Sequence, residues 1–324
     1  MEKILLTGVA GMIGAQTAAR LLKEGHTVVG IDNLNDYYDP ELKKRRLEIL
    51  AAEPSFRWEA FDIENGEKLD ALFETFRPDA VINLAARAGV RYSMENPHVY
   101  LTTNMGGTLN LLESMRKWSC RKLVLASTSS LYAGQKMPFS ESLPVNTPIS
   151  PYAATKKAAE VMAFTYHHLY GFDVSVLRYF TVYGSLGRPD MAVFRFVRWI
   201  DEGRPIELFG DGSQSRDFTH VDDIARGTVL ALRPLGYEII NLGGGNNPVP
   251  MNTIIEMFGQ HLGRTPVIEN RPFHSADMRE TWADISKAKA LLGWEPAISL
   301  EEGLRETVSY YIENRSWLQQ IRMD

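Results

Sequence analysis

Tyr152 and Lys156 stand four residues apart in Ser150-Pro151-Tyr152-Ala153-Ala154-Thr155-Lys156, so on a helix they share one face. A phenol with a solution pKa of about 10 is a poor base at neutral pH. An ammonium beside it favours the phenolate, which makes Tyr152 a candidate general base for a hydroxyl group. Upstream, Ser127-Thr128-Ser129-Ser130 closes the apolar run Leu123–Ala126. Hydroxyls at the C-terminal end of a strand lie where ligands bind in open α/β sheets, and one of them can hydrogen-bond the reacting oxygen. Both features have plainer readings. Tyr and Lys at this spacing are common on helices, as Lys157 illustrates, and Ser and Thr routinely form turns.

A second motif gives the pair a context. Gly8, Gly11 and Gly14 follow the apolar run Ile4–Thr7 and open a helical pattern, Ile13–Lys23. Glycines let the backbone turn sharply and approach a pyrophosphate, and the helix N-terminus offers unpaired N–H groups to the anion. Met12 and Ile13 belong to the same turn. Asp32 ends the next β-like run, Thr27–Ile31, with Asn33 beside it. An acid there accepts hydrogen bonds from ribose hydroxyls and repels a 2′-phosphate, which favours NAD over NADP. A strand-end turn is the other reading of Asp32, and of Asp62–Ile63, which follow Phe56–Phe61 and are placed to meet an adenine ring. The positive nicotinamide of NAD+ would add to the pull on the Tyr152 phenol.

The elements that must position these residues alternate. Ile4–Thr7, Thr27–Ile31, Ala80–Ala85 and Leu123–Ser127 read as buried parallel strands. Ile13–Lys23, Leu69–Phe76 and Thr103–Lys117 read as helices between them. This predicts an α/β fold: a Rossmann-type doubly wound parallel sheet with right-handed crossovers. A long helix from about Tyr152 to Tyr170 carries Ala154, Ala158, Val161, Met162, Thr165 and Leu169 at helical spacing, and a strand Val174–Tyr179 follows. After Phe180 glycine and proline become frequent and the elements shorten. The expected division is an NAD-binding domain over 1–180 and a smaller, discontinuous mixed α/β substrate-binding domain over 181–324. Segments such as 221–245 are candidates to return to the first domain.

The 324 residues are 44% hydrophobic and 23% charged, with a net charge of −5, ordinary for a globular chain and without a basic run for nucleic acid. One cysteine, Cys120, excludes an intrachain disulfide and a cysteine-based zinc cluster, and the seven histidines lack metal-ligand spacing. No metal and no membrane span are expected. The N-terminus reads as a strand entering a glycine turn and not as a signal peptide, so the expected compartment is cytoplasmic.

In this order the glycine loop, the hydroxyl run and the Tyr–Lys pair resemble the extended short-chain dehydrogenase/reductase family, over essentially the whole chain. Three stretches resemble its UDP-glucuronate 4-epimerase branch: Asp32-Asn33-Leu34-Asn35-Asp36-Tyr37-Tyr38-Asp39, Ala88-Gly89-Val90-Arg91-Tyr92-Ser93, and Thr181-Val182-Tyr183-Gly184 leading into Gly187-Arg188-Pro189-Asp190-Met191. The resemblance implies bound NAD+, a UDP-sugar substrate and a triad of Thr128, Tyr152 and Lys156. It adds Leu84, Ala85, Ala86 and Tyr179 to the cofactor contacts, and Arg91, Thr181, Arg216 and Arg279 to the substrate contacts. Arg216 and Arg279 are the expected pyrophosphate ligands, while Arg188, Ser129 and Ser130 are expected at the sugar carboxylate. Two departures stand out. Arg87 occupies a position where relatives commonly carry glutamine, and the usual Tyr-Gly after the hydroxyl run becomes Tyr132-Ala133-Gly134. The family also implies a homodimer built on the helices Thr103–Lys117 and Tyr152–Tyr170.

Chemistry separates the branches. Relatives that dehydrate a 4-keto sugar carry Asp and Glu in the strand-end run, and decarboxylases carry a Glu where Ser130 stands. Without those carboxylates, return of hydride to the other face of C4 remains, which is epimerisation. The 4-keto intermediate from UDP-glucuronate is a β-keto acid. It loses CO2 when the carboxylate bond aligns with the ketone, so Arg188 and the hydroxyls of Thr128, Ser129 and Ser130 are expected to pin the carboxylate out of line. Plainer readings stay open: a surface arginine for Arg188, a salt bridge with Asp217, Asp222 or Asp223 for Arg216, and an ion pair with Glu95 for Arg91. UDP-glucose epimerisation, UDP-glucuronate decarboxylation, net oxidation with release of NADH, and a non-catalytic nucleotide sensor are the competing functions.

Overall fold

The apolar runs that begin near Ile4, Thr27, Ala80 and Leu123 become parallel strands of one sheet in a computed structural model of the chain, which describes residues 1–246, 248–273 and 278–323. Asn247 and the aspartate of the Asp-Met-Arg stretch, Asp277, lie outside the described residues. The first elements are β1 (Lys3–Thr7), α1 (Met12–Lys23), β2 (Thr27–Asp32), α2 (Pro40–Leu50), β3 (Phe56–Ala60), α3 (Gly66–Phe76) and β4 (Ala80–Asn83). Then come α4 (Val90–Glu95), α5 (Pro97–Tyr100), a π-helical stretch Leu101–Gly107, α6 (Thr108–Lys117), β5 (Lys122–Thr128), α7 (Pro151–Tyr170) and β6 (Asp173–Tyr179). The chain continues through β7 (Thr181–Tyr183), α8 (Ala192–Glu202), β8 (Ile206–Phe209), β9 (Ser215–Arg216), β10 (Phe218–His220), α9 (Val221–Leu230) and β11 (Tyr237–Leu242). It closes with β12 (Val249–Pro250), α10 (Met251–Leu262), β13 (Ile268–Arg271), α11 (Ser286–Leu292), α12 (Leu300–Glu313) and α13 (Arg315–Leu318).

The main sheet has seven strands in the order β11-β6-β5-β4-β1-β2-β3. All pair in parallel, with Leu5 level with Val29 on one side and Val81 on the other. The expected doubly wound fold is borne out. Side chains alternate faces along each strand. Ile4 and Leu6 therefore enter one buried layer and Leu5 the other. The winding reverses between β1 and β4, which opens the crevice at their C-terminal ends where such folds bind ligands. The last sheet strand, β11, comes from far along the chain and pairs with β6, and α9 packs beside α1. Three two-stranded sheets (β7 with β10, β8 with β13, β9 with β12) accompany α8, α10 and α12 around a third apolar cluster. Tyr38 and Leu42, from the start of the chain, belong to that cluster too.

Two expectations need correction in detail. The helix read over Thr103–Lys117 is π-wound to Gly107 and α-helical only from Thr108. Gly106 and Gly107 hold it weakly, and a methyl on Gly107 would come 2.5 Å from the Ile63 side chain, so this turn fits tightly over Ile63. Of the apolar set read along α7, Met162 packs against the core, but Ala154, Val161, Thr165 and Leu169 are exposed. Ala153, Ala159, Ala163 and Tyr166 face the core, whereas Val161 and Leu169 are 52% and 59% exposed. Helix boundaries held better. The Ser150 hydroxyl accepts the Ala153 amide at 3.2 Å, Pro151 supplies the first turn, and Gly171 ends α7 in the left-handed region.

Behind β5 a buried polar chain braces α7. Glu160 accepts Arg178 Nε and Nη2 at 2.9 and 2.8 Å and the Ser127 hydroxyl at 2.6 Å. Arg178 Nη1 reaches the Tyr132 hydroxyl at 2.8 Å, which donates to Asn241 at 2.8 Å. Burial pushes the Glu160 carboxyl up, but the hydrogen bonds and charge of Arg178 outweigh it and leave it below its usual value. Replacing Glu160 with leucine strands a buried guanidinium, and an expected loss of about 3–5 kcal/mol in urea unfolding follows.

Candidate active site

The turn after β1 is built on contacts that only glycine permits. Gly8 lies at φ +71°, and a methyl on it would sit 2.7 Å from the Ala85 amide nitrogen. On Gly14 a methyl would fall 2.1 Å from the Gly8 carbonyl oxygen. Gly11 caps α1 without a side chain, so the first amides of the helix remain available to an anion. Asp32, 9% exposed, accepts the Ala10 amide at 3.1 Å and the Leu34 amide at 3.0 Å. The acid therefore pins the turn and lies in the cavity with spare lone pairs for a ribose. Asp62 caps its own turn through the Glu64 amide at 3.0 Å and accepts Asn33 Nδ2 at 2.5 Å. Leu84, Ala85 and Ala86 form a loop and not the end of a strand, because β4 stops at Asn83, whose side chain accepts the Thr7 hydroxyl at 2.6 Å. The cradle fits a dinucleotide such as NAD.

A cavity of about 830 Å³ runs from this turn across the strand ends. Its lining gathers every expected site residue but one: Gly8, Gly11, Met12, Ile13, Gly14, Asp32, Asn33, Asp62, Ile63, Leu84, Ala85, Ala86 and Tyr179 toward the glycine turn, and Thr128, Ser129, Ser130, Tyr152, Lys156, Thr181, Arg91, Arg188 and Arg216. Arg279 is not in the lining. Its guanidinium lies over the Phe273 ring at 5.4 Å, and Phe273 does line the cavity.

Tyr152 and Lys156 project from the first two turns of α7 beside the end of β5. Lys156 Nζ donates to the Ala126 carbonyl at 2.9 Å. Burial pushes its ammonium down to about 8, against the nearby Glu160 charge. Burial also pushes the Tyr152 phenol up, while hydrogen bonding with Thr128 and the charge of Arg188 pull the other way. Burial therefore sets the direction, and Arg188 is a cation that opposes it. The Thr128 hydroxyl itself donates to Ser130 Oγ and accepts the Ser130 amide, both at 3.1 Å.

The arginines are placed by different means. Arg188 forks onto Asp190 through Nε at 3.0 Å and Nη2 at 2.6 Å, which keeps its charge firm despite burial. It is thus a half-buried, paired cation and not a loose surface arginine. Arg91 lies over the Phe209 ring at 4.1 Å. Arg216 Nη1 donates to the carbonyls of Ser215 and Arg279 at 2.8 and 3.2 Å. Of the acids weighed as its partners, Asp217 accepts the Gly245 and Ala283 amides and Asp223 holds Arg226. Tyr179 turns its hydroxyl to Thr228 at 2.8 Å.

Some lining residues had no assigned role in the sequence. Lys43 donates to the Asn35 carbonyl at 2.7 Å. Burial lowers it to about 8, opposed by Asp32 and assisted by Arg46, Arg87 and Arg188. Arg87 has its backbone clamped at both ends by Asn104, which accepts its amide at 2.8 Å and donates to its carbonyl at 3.1 Å. The π turn is what brings Asn104 there. Phe209 and Phe273 carried no periodic signal, since they sit in or beside very short strands. Among the described residues no cluster of His, Cys, Asp and Glu is placed to hold a metal ion, and no helix is long and apolar enough to cross a membrane.

Residues 4–243 match the NAD dependent epimerase/dehydratase family. The chain belongs to that family. The likeness read from the motifs is borne out, and NAD is the cofactor on which this epimerase/dehydratase family depends. The chain is 59% identical over 323 residues to the UDP-glucuronate 4-epimerase of Thermodesulfobacterium geofontis, covering 100% of both. It is 40% identical to a probable UDP-glucuronate 4-epimerase of Rhizobium meliloti, over 96% of this chain and 97% of that one. Among solved structures, UDP-glucuronic acid 4-epimerase from Bacillus cereus in complex with UDP-glucuronic acid and NAD superposes with a TM-score of 0.91 at 38% identity, over 96% of this chain and 99% of that one. UDP-glucose 4-epimerase from Thermotoga maritima with UDP-glucose gives 0.87 at 33% identity, over 97% and 99%.

Proposed function

We propose that this epimerase/dehydratase family member interconverts UDP-glucuronate and UDP-galacturonate through a 4-keto intermediate, with NAD+ retained through the cycle. Three of the proteins named above, from Thermodesulfobacterium geofontis, Rhizobium meliloti and Bacillus cereus, carry this activity in their names, and they support the substrate. The observation that carries the reaction type is the disposition of carboxylates. Among the described lining residues these are Asp32, Asp62, Asp190 and Glu207. Asp32 and Asp62 belong to the glycine-turn end, Asp190 is held by Arg188, and Glu207 accepts Arg271 at 2.9 Å. Beside Tyr152 the strand end offers only the hydroxyls of Thr128, Ser129 and Ser130, with no acid to expel water or steer decarboxylation.

The glycine turn and Asp32 hold the dinucleotide, which when bound takes a hydride from C4 and returns it. Tyr152 accepts the C4 hydroxyl proton, and Thr128 hydrogen-bonds the same oxygen. Lys156, buried beside them, supplies positive charge where oxyanion character develops. Tyr152 then returns the proton once the 4-keto sugar has presented its other face. Arg216, Arg279 and Arg91 neutralise the UDP diphosphate, with Arg188, Thr181 and the serines at the sugar. The test is proton NMR of the purified protein with UDP-glucuronate and no added NAD. UDP-galacturonate without pentose or net NADH supports the reading; no product, or turnover only of UDP-glucose, overturns it.

The reading extends to a cytoplasmic homodimer. Val161, Phe164, Leu169 and Tyr170 on α7, and Leu101 beside α6, are 40–59% exposed, an apolar strip suited to a second copy of the same helices. Sedimentation at micromolar concentration is expected to give dimers, and a Val161→Glu/Leu169→Glu variant monomers; a wild-type monomer would remove the proposal. The division of the chain near residue 180 into cofactor and substrate domains is part of the same reading.

A further inference from the structure

The stretches Asp32–Asp39 and Gly187–Met191 lie far apart in sequence, yet their side chains meet at Arg188. The Arg188 Cζ stands 5.1 Å from the Tyr37 ring centroid and 5.7 Å from that of Tyr38. Asp190 takes the Nε and Nη2 edge of the same guanidinium. Tyr38 is 7% exposed and its hydroxyl accepts Arg46 Nη1 at 2.7 Å, so this ring cannot drift. Tyr37 packs on Tyr92 at 5.0 Å, Tyr92 on Tyr100 at 6.3 Å and Tyr100 on Tyr152 at 6.1 Å. An aromatic wall therefore leads from the arginine to the reacting phenol. A guanidinium held over two rings and locked at one edge by a carboxylate has lost its freedom before any ligand arrives. Tyr37 binds it in a second way, since its hydroxyl also takes a hydrogen bond from this guanidinium.

We infer that Tyr37, Tyr38 and Asp190 form a cradle that fixes Arg188 as a rigid anchor for the sugar carboxylate, and that Tyr37 and Asp190 are positioning residues that decide between epimerisation and loss of CO2. The inference rests on the substrate proposed above. In the leak reaction the C5–C6 bond of the 4-keto acid breaks, its electron pair passes into the C4 carbonyl, and a proton from water adds at C5. That step requires the carboxylate bond to swing parallel to the carbonyl π system. A mobile arginine permits the swing; a cradled one resists it. Pure packing by the tyrosines would alter stability and overall rate but not the ratio of the two products.

The experiment measures UDP-galacturonate and CO2 from UDP-glucuronate labelled at C6, for Tyr37→Phe, Tyr37→Leu and Asp190→Asn, with melting temperature as a control. Tyr37→Phe keeps a ring over the cation and loses only the hydroxyl's hydrogen bond, so its ratio is expected to lie between those of wild type and Tyr37→Leu. Tyr37→Leu removes it and is expected to raise CO2 per epimerisation about tenfold, in line with a lost cation–π contact. Asp190→Asn is expected to raise it similarly, and it answers the question if the leucine variant fails to fold. Folded Tyr37→Leu or Asp190→Asn protein with an unchanged ratio overturns the cradle while leaving the epimerase standing. A Tyr37→Phe ratio as high as that of Tyr37→Leu also overturns it. Wild-type protein inert toward UDP-glucuronate overturns the proposed function, and the cradle with it.

Discussion

Tyr152→Phe is expected to lower kcat for UDP-glucuronate by about 10²–10⁴-fold, the range lost when a positioned proton-transfer group is removed. The variant keeps its ring against Tyr100, so fold and cofactor retention should persist. Burial pushes the Tyr152 phenol above its solution value, so the wild-type rate should climb with pH while the phenol titrates. Lys156 acts in the opposite sense. Its ammonium, lowered to about 8, loses charge as pH rises, which withdraws support from the oxyanion. A wild-type profile that rises and then falls is the expected pattern, and Tyr152→Phe should lose the rising limb. Near-normal turnover by Tyr152→Phe would remove this tyrosine from the chemistry.

The second large effect belongs to Arg188→Ala. A charge-assisted contact to a carboxylate is worth about 1.5–3 kcal/mol, so kcat/KM for UDP-glucuronate should fall by roughly 10–100-fold. Turnover of UDP-glucose, which has no carboxylate, should not share that fall. Carbon dioxide release should become a visible fraction of product. The variant also deprives Tyr152 of the cation that favours its phenolate, so its base limb should shift to higher pH. Equal losses on both sugar nucleotides, with no CO2, would place Arg188 in the framework and not at the carboxylate.

Much of this site was legible in the chain because it depends on local geometry. The glycine turn, Asp32, the Ser/Thr run and the Tyr152–Lys156 pair each sit at the end of an element whose period and caps are written nearby. What stayed hidden depends on contacts between distant segments. Spacing placed Val161 and Leu169 on one face of α7, but nothing in the spacing said that this face looks away from the core. Tyr37 and Arg188 were both conspicuous, yet their stacking needs the turn before α2 and the loop before α8 to meet. The π turn at Leu101–Gly107 escapes any reading by 3.6-residue period. The strands β7, β8, β9, β10, β12 and β13 have two to four residues each, too few for an alternation to register. The pairing of Arg188 with Asp190 was not legible, because it is set by loop geometry and not by helical spacing.

Arg46 has a wider consequence. Its guanidinium, 1% exposed, donates to the Ala10 carbonyl in the glycine turn at 2.8 Å, to Tyr38 at 2.7 Å and to the Leu186 carbonyl at 2.5 Å. One buried side chain thereby ties the dinucleotide turn to the loop that carries Arg188. Ordering either end restrains the other, and such linkage runs equally in both directions. A sugar nucleotide that settles the Arg188 loop should tighten the dinucleotide by the same factor that the dinucleotide tightens the sugar. For an enzyme that must give back every hydride it takes, this reciprocity guards the cycle when a reduced cofactor and a ketone share one chamber.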